Sequence, residues 1–424
     1  MSAAPATVAL PRLLEGLAAG PLTTLARHHE VHGQLPSAAE LGGIELVEMI
    51  DECDLRGRGG GAFPTARKLR AVMAAHGRPI VVANGCESEP LSGKDALLLR
   101  ELPHLVLDGA ALVARALGAQ RAIVAVKRSA PERAPVEDAI AQRRAHGGDE
   151  VELDCFGAAA TFIAGQETAL VSQLNGGPAR PTFVPPRVTQ RGVARRPTFV
   201  ANVETLAHVA LIARHGVDWY RALGPADEPG STLVTITVPG GTRKIYEVAF
   251  GTRLGDVLAA AGAGEQLAGL LIGGYFGTWL PVGLIDELSL SHAALARHGA
   301  SLGCGVIVAL AASACPVAET VRVGAYLAGQ SAGQCGPCVH GTAALARRLE
   351  AISQGGASQL AFQDLQRWVH EIADRGACHH PNGVGQFVSS ALRTFREQFE
   401  DHARYGPCEA CTSRPVLATS EVEL

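Results

Sequence analysis

The sequence predicts an α/β protein in which a Rossmann-like domain is followed by a small β-grasp domain and a C-terminal α-helical bundle. Three patterns support this prediction: alternating strands and helices over residues 79–175, a hairpin signature over 231–283, and helical periodicity over 316–404. The chain has 424 residues, more than one hydrophobic core usually serves, so we expect several domains.

The first region alternates between apolar runs and helical stretches. The runs PIVVANG, RAIVAVK and VELDCF are each followed by a helical segment, which gives a βαβαβα series. Such a series packs as a mostly parallel sheet with helices on both faces, and ligands bind beyond the carboxyl ends of its strands. The loop NGCESEP follows the first run and is therefore expected at a ligand-binding edge.

The later regions have other patterns. The segments STLVTITVPGG, KIYEVAFG, RLGDVLAAAG and LAGLLIGG predict a hairpin, a helix and a further strand, as in a β-grasp domain. About four helices follow, separated by SAGQCGPC, SQGGASQ and RGACHHPNG. A stretch rich in proline and arginine over residues 178–199 predicts an irregular surface loop. The predicted limits are 1–39 for an N-terminal extension, 40–225 for the α/β domain, 226–315 for the β-grasp domain, 316–405 for the bundle and 406–424 for a cysteine-containing tail.

The composition argues against several classes of function. A net charge of -4 and a pI near 6.4 give no overall attraction to nucleic acid or anionic lipid. The N-terminus lacks a signal-peptide pattern, and no apolar run is long enough for a spanning helix. We therefore expect a cytoplasmic chain without a direct membrane span. In that compartment the 10 cysteines favour metal or redox chemistry over disulfides.

A glycine cluster is the first candidate binding motif. In RGRGGGAFPTARKL, residues 56–69, the glycines let the backbone approach a ligand and direct amide groups at phosphate oxygens. A helix beginning near Pro64 adds its positive end. The cluster follows a helical stretch rather than a strand, so a flexible turn is an equally good interpretation of this motif alone.

Three further polar motifs are candidates for the same site. In ANGCESEPLSGKD, the side chains of Asn84, Glu87 and Glu89 crowd a strand end and suit a flavin ring or a ribose. The alternative is a solvated acidic loop. The motifs FIAGQETAL and FVANVETL can each start a helix whose polar side chains face a cleft, and either can equally be plain N-capping.

The cysteines near the C-terminus form the clearest metal signature. Cys335 and Cys338 in QCGPC, with Cys378 in GACHHPNG, suit an iron-sulfur centre because iron favours sulfur ligands. Buried inert cysteines are the alternative. Four other cysteines lie in apolar or helical surroundings and are interpreted as core packing without a role: Cys53, Cys155, Cys304 and Cys315.

Taken in order, RGRGGGAFPT, NGCESEP, AGQETAL, ANVETLA and GQCGPC resemble one family, over roughly residues 40–403. It is the NADH-oxidising FMN subunit of respiratory complex I, with the related diaphorase subunits of NAD-linked hydrogenases and formate dehydrogenases. The resemblance implies an NAD(P)H dehydrogenase that passes hydride from NADH to FMN, then single electrons to an iron-sulfur cluster, and on to a ferredoxin-like protein or subunit acceptor. It implies FMN contacts at Gly57, Arg58, Gly59, Gly60, Lys68, Asn84, Glu87, Asn202 and Thr205, a further cofactor contact at Gly165, and nucleotide contacts at Phe63, Glu89 and Glu167.

The cluster motif departs from the family at one position. The family has a third cysteine where Ala332 stands, so Cys335, Cys338 and Cys378 remain. Three thiolates can hold a 3Fe-4S cluster, or a 4Fe-4S cluster with a further ligand. The candidates for that ligand are Cys408, which we prefer, Cys411, His379 and His380.

The nucleotide pocket departs from the family as well. The family usually has an aspartate at Cys86, a tyrosine at Phe162, a glutamate at Gln166, a lysine at Val184 and an aromatic residue at Arg187. Loss of a carboxylate at Gln166 and gain of Arg187 make the pocket more positive, which motivates the hypothesis that NADPH or another phosphorylated donor is accepted.

Three interpretations of function stay open. Arginines between residues 180 and 196 are candidates for docking an acidic ferredoxin, or are simply solvated. The chain is alternatively a diaphorase subunit that works only inside a larger hydrogenase, formate dehydrogenase or complex I-type assembly. A scaffold that kept the fold and lost redox chemistry is the non-enzyme alternative.

Overall fold

The computed structural model describes residues 10, 12–147, 149–264 and 266–419. Parts of the predicted N-terminal extension and of the predicted tail lie outside these residues. The strands are β1 (Ile80–Asn84), β2 (Arg121–Lys127), β3 (Glu152–Ala158), β4 (Thr198–Asn202), β5 (Ser231–Thr237), β6 (Arg243–Ala249), β7 (Leu267–Ile272), β8 (Thr278–Leu280) and β9 (Val306–Ala311).

The α-helices surround these strands and dominate the C-terminal part of the chain. They are α1 (Leu25–His32), α2 (Gly43–Glu52), α3 (Thr65–Met73), α4 (Lys94–Glu101), α5 (Pro103–Ala116), α6 (Arg133–Ala145), α7 (Glu167–Leu174), α8 (Val203–Arg221), α9 (Leu254–Ala261), α10 (His292–Ala296), α11 (Pro316–Gly329), α12 (Ala343–Ser353), α13 (Gln359–Ile372), α14 (His380–Thr394) and α15 (Arg396–Tyr405).

A parallel sheet of strand order β3-β2-β1-β4 organises the first half of the chain. The predicted βαβαβα series is confirmed by β1 to β3 and the helices that follow them. The sequence did not predict β4, because its short run TFVAN passes directly into the helical pattern of α8. Since β1 and β4 pair in parallel, Asn84 and Asn202 lie side by side at the carboxyl edge of the sheet.

A second, mixed sheet has the strand order β6-β5-β9-β7-β8. The predicted hairpin is confirmed by the antiparallel pair β5 and β6, in which Thr237 faces Arg243. Gly240 and Gly241 make the turn with φ of 90° and 77°, a left-handed backbone that glycine adopts without steric cost. The predicted helix and further strand are α9 and β7.

The C-terminal region is helical, as predicted. Within the described residues it has five α-helices rather than about four, because α14 and α15 are separated at Phe395. A π-helical segment, Pro337–Thr342, precedes α12. The loop over residues 178–199 is exposed over most of its length, as predicted, and the Phe183 side chain is 79% exposed.

The helical bundle packs on the second sheet through aromatic side chains. Trp279 of β8 is 1% exposed, and its ring contacts Phe395 edge-on at 5.0 Å and Phe387 at 6.2 Å. Aromatic side chains of this size bury large apolar areas, so this contact holds the two parts together. Among the described residues, no helix combines the length and the apolar character that crossing a bilayer requires.

Candidate functional site

A cavity of about 480 Å³ opens at the carboxyl ends of β1 and β4. Its walls come from the glycine loop, the loops after β1 and β3, two loops of the second sheet, and the segment before α14. The lining residues are Arg58, Gly59, Gly60, Gly61, Asn84, Cys86, Glu87, Ser88, Glu89, Ser92, Lys94, Asp95, Phe162, Ile163, Gly165, Gln166, Asn202, Gly273, Phe276, Ser301, Gly303, Cys304, Cys378, His379 and His380. This volume is in the range of ordinary cofactor sites.

The glycine loop is held closed by its own backbone. Gly57 donates its N–H to the carbonyl of Phe63 at 2.9 Å, and Gly60 has φ of 104°. The Arg58 N–H donates to the hydroxyl of Thr205 at 2.9 Å, which ties the loop to the start of α8. The loop therefore presents a fixed backbone surface to the cavity, and α3 begins directly after it, as predicted.

The guanidinium of Arg58 is bound by other groups of the protein. It donates to the hydroxyl of Tyr220 and to the carbonyl of Ser231, both at 3.1 Å, and lies 4.7 Å from the ring centre of Phe250. The residue is 6% exposed. What Arg58 offers a ligand is therefore its backbone rather than its charge.

Two asparagines are fixed at the sheet edge. The Asn84 amide donates to the carbonyl of Gly165 at 2.8 Å, and the Asn202 amide donates to Asp95 at 2.6 Å. The Asn202 side-chain oxygen accepts from Lys94 at 3.1 Å. Because these bonds join β1, β4 and two loops, the polar floor of the cavity is rigid before any ligand binds.

A buried lysine places a positive charge beside this floor. Lys94 is 2% exposed, and its ammonium lies 2.6 Å from Asp95 and 3.0 Å from Glu204. Burial lowers the pKa of Lys94, but the charges of Asp95, Glu204 and Glu87 outweigh it and the pKa is raised. Lys94 therefore stays protonated. Sequence analysis did not assign this lysine a role, and its only signal was the dipeptide that follows the acidic loop.

The two glutamates of the acidic loop have different environments. Glu87 accepts hydrogen bonds from the N–H of Asp95 at 3.1 Å and of Ala96 at 3.0 Å, so it caps α4 while it lines the cavity. Glu89 accepts from the N–H of Tyr275 at 2.8 Å, and burial raises its pKa to about 7, although its backbone donors lower it. Glu89 is therefore a carboxyl group whose charge changes near neutral pH.

The loop before α7 packs closely on the opposite wall. A Cβ added to Gly165 would lie 2.6 Å from the carbonyl oxygen of Cys86, so this position has no space for a side chain. Gln166 accepts from the N–H groups of Thr168 and Ala169, both at 2.9 Å. The Gln166 side chain therefore caps α7, as the alternative interpretation of this motif predicted. The resembled family usually has a glutamate at this position.

Aromatic contacts join this loop to the rest of the cavity. The ring of Phe162 meets that of Phe276 edge-on at 4.9 Å and that of His380 at 6.2 Å. The Phe162 N–H donates to the side chain of Gln330 at 2.9 Å. The loop before α7 and the C-terminal helices thus meet at the cavity.

Five of the predicted cofactor-binding residues do not line the cavity. Gly57 and Thr205 support the glycine loop from behind, and Phe63 is 46% exposed beyond it. Lys68 forms an ion pair with Glu167 and donates to the carbonyl of Val200 at 2.7 Å. This pair joins α3 to the start of α7.

Three predicted cluster ligands lie near the same cavity. Cys335 lies two residues before the π-helical segment and Cys338 lies in it, and Cys378 precedes α14 and lines the cavity. Burial raises the pKa of Cys338, a hydrogen bond from Ser331 lowers it, and the neighbouring Cys335 and Cys378 thiols raise it. A clustered thiol set of this kind fits an iron-sulfur centre.

The structure separates Cys408, our preferred further ligand, from these three cysteines. Cys338 precedes the amino end of α12, whereas a Cβ on Gly355, beyond its carboxyl end, would lie 3.0 Å from the backbone of Gly406. With 11 residues, α12 is about 16 Å long, so Cys408 lies at the far end of that helix. The prediction that Cys408 completes this cluster is therefore wrong, because α12 separates Cys408 from the other three cysteines.

Cys408 instead lies in a group of cysteine and histidine side chains that the sequence analysis did not predict. Its partners are Cys315, His402 and Cys411, and the four ligand atoms all lie within 4.8 Å of one another. The C-x-x-C spacing in YGPCEAC is the sequence feature that could have indicated this group. Cys304, interpreted as core packing, lines the cavity.

Comparison with known proteins identifies the family. The model of the Nuo51 FMN-binding domain matches residues 50–211, and that of the NADH-ubiquinone oxidoreductase-F iron-sulfur binding region matches residues 319–402. The chain is 31% identical over 383 residues to the NADH-quinone oxidoreductase F subunit 2 of Rhizobium meliloti (strain 1021), covering 86% of this chain and 90% of that protein. This chain belongs to the family of NADH-quinone oxidoreductase F subunits. The NADH-quinone oxidoreductase F subunit of Mycobacterium tuberculosis (strain ATCC 25618 / H37Rv) is 29% identical over 450 residues, covering 99% of each protein.

A solved structure supports this family membership. The NAD+-reducing NiFe-hydrogenase in the air-oxidized state contains a chain with a TM-score of 0.83 and 28% identity, covering 99% of this chain and 71% of that one. The two regions matched by the family models contain the glycine loop, the asparagine floor and all three clustered cysteines. They leave out Cys315, Cys408 and Cys411.

Proposed function

We propose that this F-subunit homologue oxidises NADH at the cavity and passes the electrons to an iron-sulfur cluster bound by Cys335, Cys338 and Cys378. The observation that carries the proposal is that Cys378 lines the same cavity as the glycine loop and the edge of the parallel sheet. FMN, when bound, accepts a hydride as an electron pair and releases single electrons, which is the conversion that an iron-sulfur acceptor requires.

Backbone groups and fixed amides would hold FMN. The loop from Gly57 to Gly60 offers backbone N–H groups, and the side chains of Asn84 and Asn202 form the floor beside it. Glu87 and Thr205 stabilise this surface through α4 and α8, and Lys68 joins it to α7. Lys94 lines the cavity and fixes the Asn202 side chain through a hydrogen bond of 3.1 Å, and we add it to the FMN site for this reason.

The nicotinamide nucleotide would enter over the loop that contains Gly165. The contact at 2.6 Å that an added Cβ would make at Gly165 supports a role in which the backbone closes on a flat ligand. Glu89, with a pKa of about 7, is the titrating group at this wall. Phe63 and Glu167 would contact the outer part of the nucleotide, since Phe63 is exposed beside the glycine loop.

With three thiolates, the type of cluster depends on whether a fourth protein ligand is available. His379 and His380 line the cavity beside Cys378. His380 Nε2 lies 2.9 Å from the carbonyl of Leu327, and among the described residues its Nδ1 has no hydrogen-bond partner. A 4Fe-4S cluster would take its fourth ligand from one of these histidines, and a 3Fe-4S cluster would need none. The electron paramagnetic resonance signal of the oxidised protein distinguishes the two, because the oxidised three-iron cluster is paramagnetic and the oxidised four-iron cluster is not.

We also propose that the domain limits predicted from the sequence apply to this chain. The α/β domain at 40–225 would bind FMN and nucleotide, and the bundle at 316–405 would hold the cluster. A β-grasp domain at 226–315 is supported by the order β6-β5-β9-β7-β8, which places the hairpin beside the last strand and α9 across the sheet. Residues 1–39 would be an N-terminal extension and 406–424 a tail.

The electrons would leave to a ferredoxin-like protein or to another subunit of a larger redox assembly. Four exposed arginines near the cavity loop support an acidic partner: Arg180, Arg187, Arg191 and Arg195. Arg196 is excluded from this surface, because it donates to the carbonyls of Arg78 and Pro79. Reduction of an acidic ferredoxin should slow as salt rises, and Arg195→Glu should reduce both the rate and its salt dependence. An unchanged rate in that variant would remove this surface from the proposal.

The test of the main proposal is anaerobic purification followed by extraction of flavin and counts of iron and sulfide. We expect FMN, bound iron and bleaching of the visible spectrum on addition of NADH. The same titration with NADPH tests whether the protein also accepts electrons from NADPH, as the amide at Gln166 and the exposed Arg187 suggest. A colourless protein without flavin or iron would overturn the proposal in favour of a scaffold, and a yellow protein that neither nucleotide reduces would overturn the donor assignment.

A further inference from the structure

A second group of metal-binding side chains lies at the far end of α12 from the proposed cluster. Cys315 immediately precedes α11, His402 lies on α15, and Cys408 and Cys411 lie on the segment that follows. We propose that these four residues bind one zinc ion in a structural site. This inference goes beyond the proposed function and does not depend on it.

The distances within the group fit a single tetrahedral ion. The Sγ atoms of Cys315 and Cys411 are 3.4 Å apart, and His402 Nε2 lies 3.4 Å from the first and 3.2 Å from the second. The Sγ atoms of Cys408 and Cys411 are 3.7 Å apart. With Zn–S bonds of about 2.3 Å, two thiolates of a tetrahedral site lie about 3.8 Å apart. The central space is therefore the size of one ion.

Other uses of these cysteines fit less well. A disulfide needs sulfur atoms about 2 Å apart, far less than the 3.7 Å between Cys408 and Cys411. An iron-sulfur cluster distributes its four protein ligands over two or more iron atoms, so some of the ligand atoms lie farther apart than ligands of one ion. Three cysteines and one histidine are one of the ordinary ligand sets of structural zinc.

The surroundings orient the ligands toward a common centre. His402 Nδ1 lies 2.8 Å from the carbonyl of Gln398, which fixes the ring and points Nε2 at the cysteines. Cys315 Sγ accepts the N–H of Ala318 at 3.3 Å in the first turn of α11. Cys315 and His402 are both 4% exposed, whereas Cys408 is exposed, so a bound ion has a path from solvent. Four protein ligands leave no open position for a substrate, as in structural sites.

The ion would fix the end of the chain onto α11. After Cys411 the chain runs to Val416 and Leu417, whose N–H groups donate to Glu319 at 2.8 and 3.0 Å. Leu417 is fully buried, and the next carbonyl, that of Ala418, accepts from the hydroxyl of Tyr275. The proposed zinc site therefore anchors the segment that supports the wall of the cavity.

Metal analysis of the full chain tests the proposal. We expect about one zinc ion per chain in the wild type, as for one closed Cys₃His site. Cys411→Ser and Cys408→Ser should each lower zinc at least fivefold and leave FMN and iron in place. Cys155→Ser, outside both groups, should keep zinc, and Cys335→Ser should lower iron while keeping zinc. Wild-type protein without zinc, or zinc that persists in both tail variants, would overturn the proposal.

A spectroscopic measurement on the wild type keeps the test independent of whether the variants fold. X-ray absorption at the zinc edge sees neither flavin nor iron. It should give three sulfur atoms at about 2.3 Å and one nitrogen at about 2.0 Å. A shell of oxygen atoms would show adventitious zinc and contradict the assignment.

Discussion

The carboxylate of Glu89 accepts a hydrogen bond from the backbone N–H of Tyr275 at 2.8 Å. This bond joins the loop after β1 to the second sheet. The hydroxyl of Tyr275 donates a second hydrogen bond to the carbonyl of Ala418, near the end of the described chain. Three parts of the chain that are distant in sequence thus meet at one wall of the cavity. Glu89 is 9% exposed, so its charge state matters to both stability and ligand binding.

Glu89→Gln should change how stability depends on pH. The folded pKa of about 7 lies above the ordinary value, so between about pH 4.5 and 7 the native state holds a proton that the unfolded state has lost. The wild-type free energy of unfolding should therefore fall with rising pH across this window, by on the order of 3 kcal/mol relative to the variant. Urea unfolding of both proteins at pH 5 and pH 8 measures this difference. Exposed Glu48→Gln is the matched control, and parallel pH curves for wild type and Glu89→Gln would contradict the prediction.

Gly165→Ala should weaken binding of FMN and nucleotide at least tenfold. An added Cβ would meet the carbonyl oxygen of Cys86 at 2.6 Å, so the loop must move away from the cavity floor and lose the bond from Asn84 to its carbonyl. Flavin fluorescence titration of the apoprotein measures the affinity. Gly283→Ala, where an added Cβ has open space, should bind as the wild type does. Equal affinity in the two variants would show that this backbone contact has no part in the site.

Asp108→Ala should destabilise the α/β domain by about 3–5 kcal/mol, because it leaves buried positive charge without a partner. Asp108 is 1% exposed and lies 2.7 Å from both His28 and Arg143, with Arg214 in direct contact. Burial raises the pKa of Asp108, but these partners outweigh it and the pKa is lowered. Its contribution is therefore present at neutral pH and lost as the pH falls below the ordinary carboxyl range. Chemical denaturation at pH 7 tests the magnitude, and a loss below 1 kcal/mol, as expected for exposed Asp138→Ala on α6, would refute it.

Ala332→Cys should supply the ligand that the family motif has at this position. Ala332 is 8% exposed and lies three residues before Cys335, in the segment that leads into the π-helical segment with Cys338. We expect more iron per chain and loss of any three-iron signal in the oxidised protein. Iron and sulfide analysis with electron paramagnetic resonance measures both. Exposed Ala226→Cys controls for an added thiol, and unchanged iron in Ala332→Cys would count against the assigned position of the cluster.

Local patterns were sufficient for much of the fold. The βαβαβα series, the hairpin around Gly240, the helix after the glycine loop and the exposed proline-rich loop all depend on neighbouring residues, whose periodicity and turn chemistry the sequence displays directly. The cysteine spacing around Cys335 likewise indicated a thiol set without any knowledge of the fold. The strand β4 was missed because its pairing with β1 is a contact over more than 100 residues.

The sequence by itself determined the order of the elements, the family motifs and the ligand types, since each is encoded within short segments. Only the tertiary structure decided what the charged and sulfur side chains do. It showed that Glu87 caps α4, that the Arg58 guanidinium donates to Tyr220, and that Lys94 is buried against Glu204. It also placed Cys408 beside Cys315, His402 and Cys411. Cys315 and Cys411 meet across 96 residues of chain, and no local pattern records such a contact.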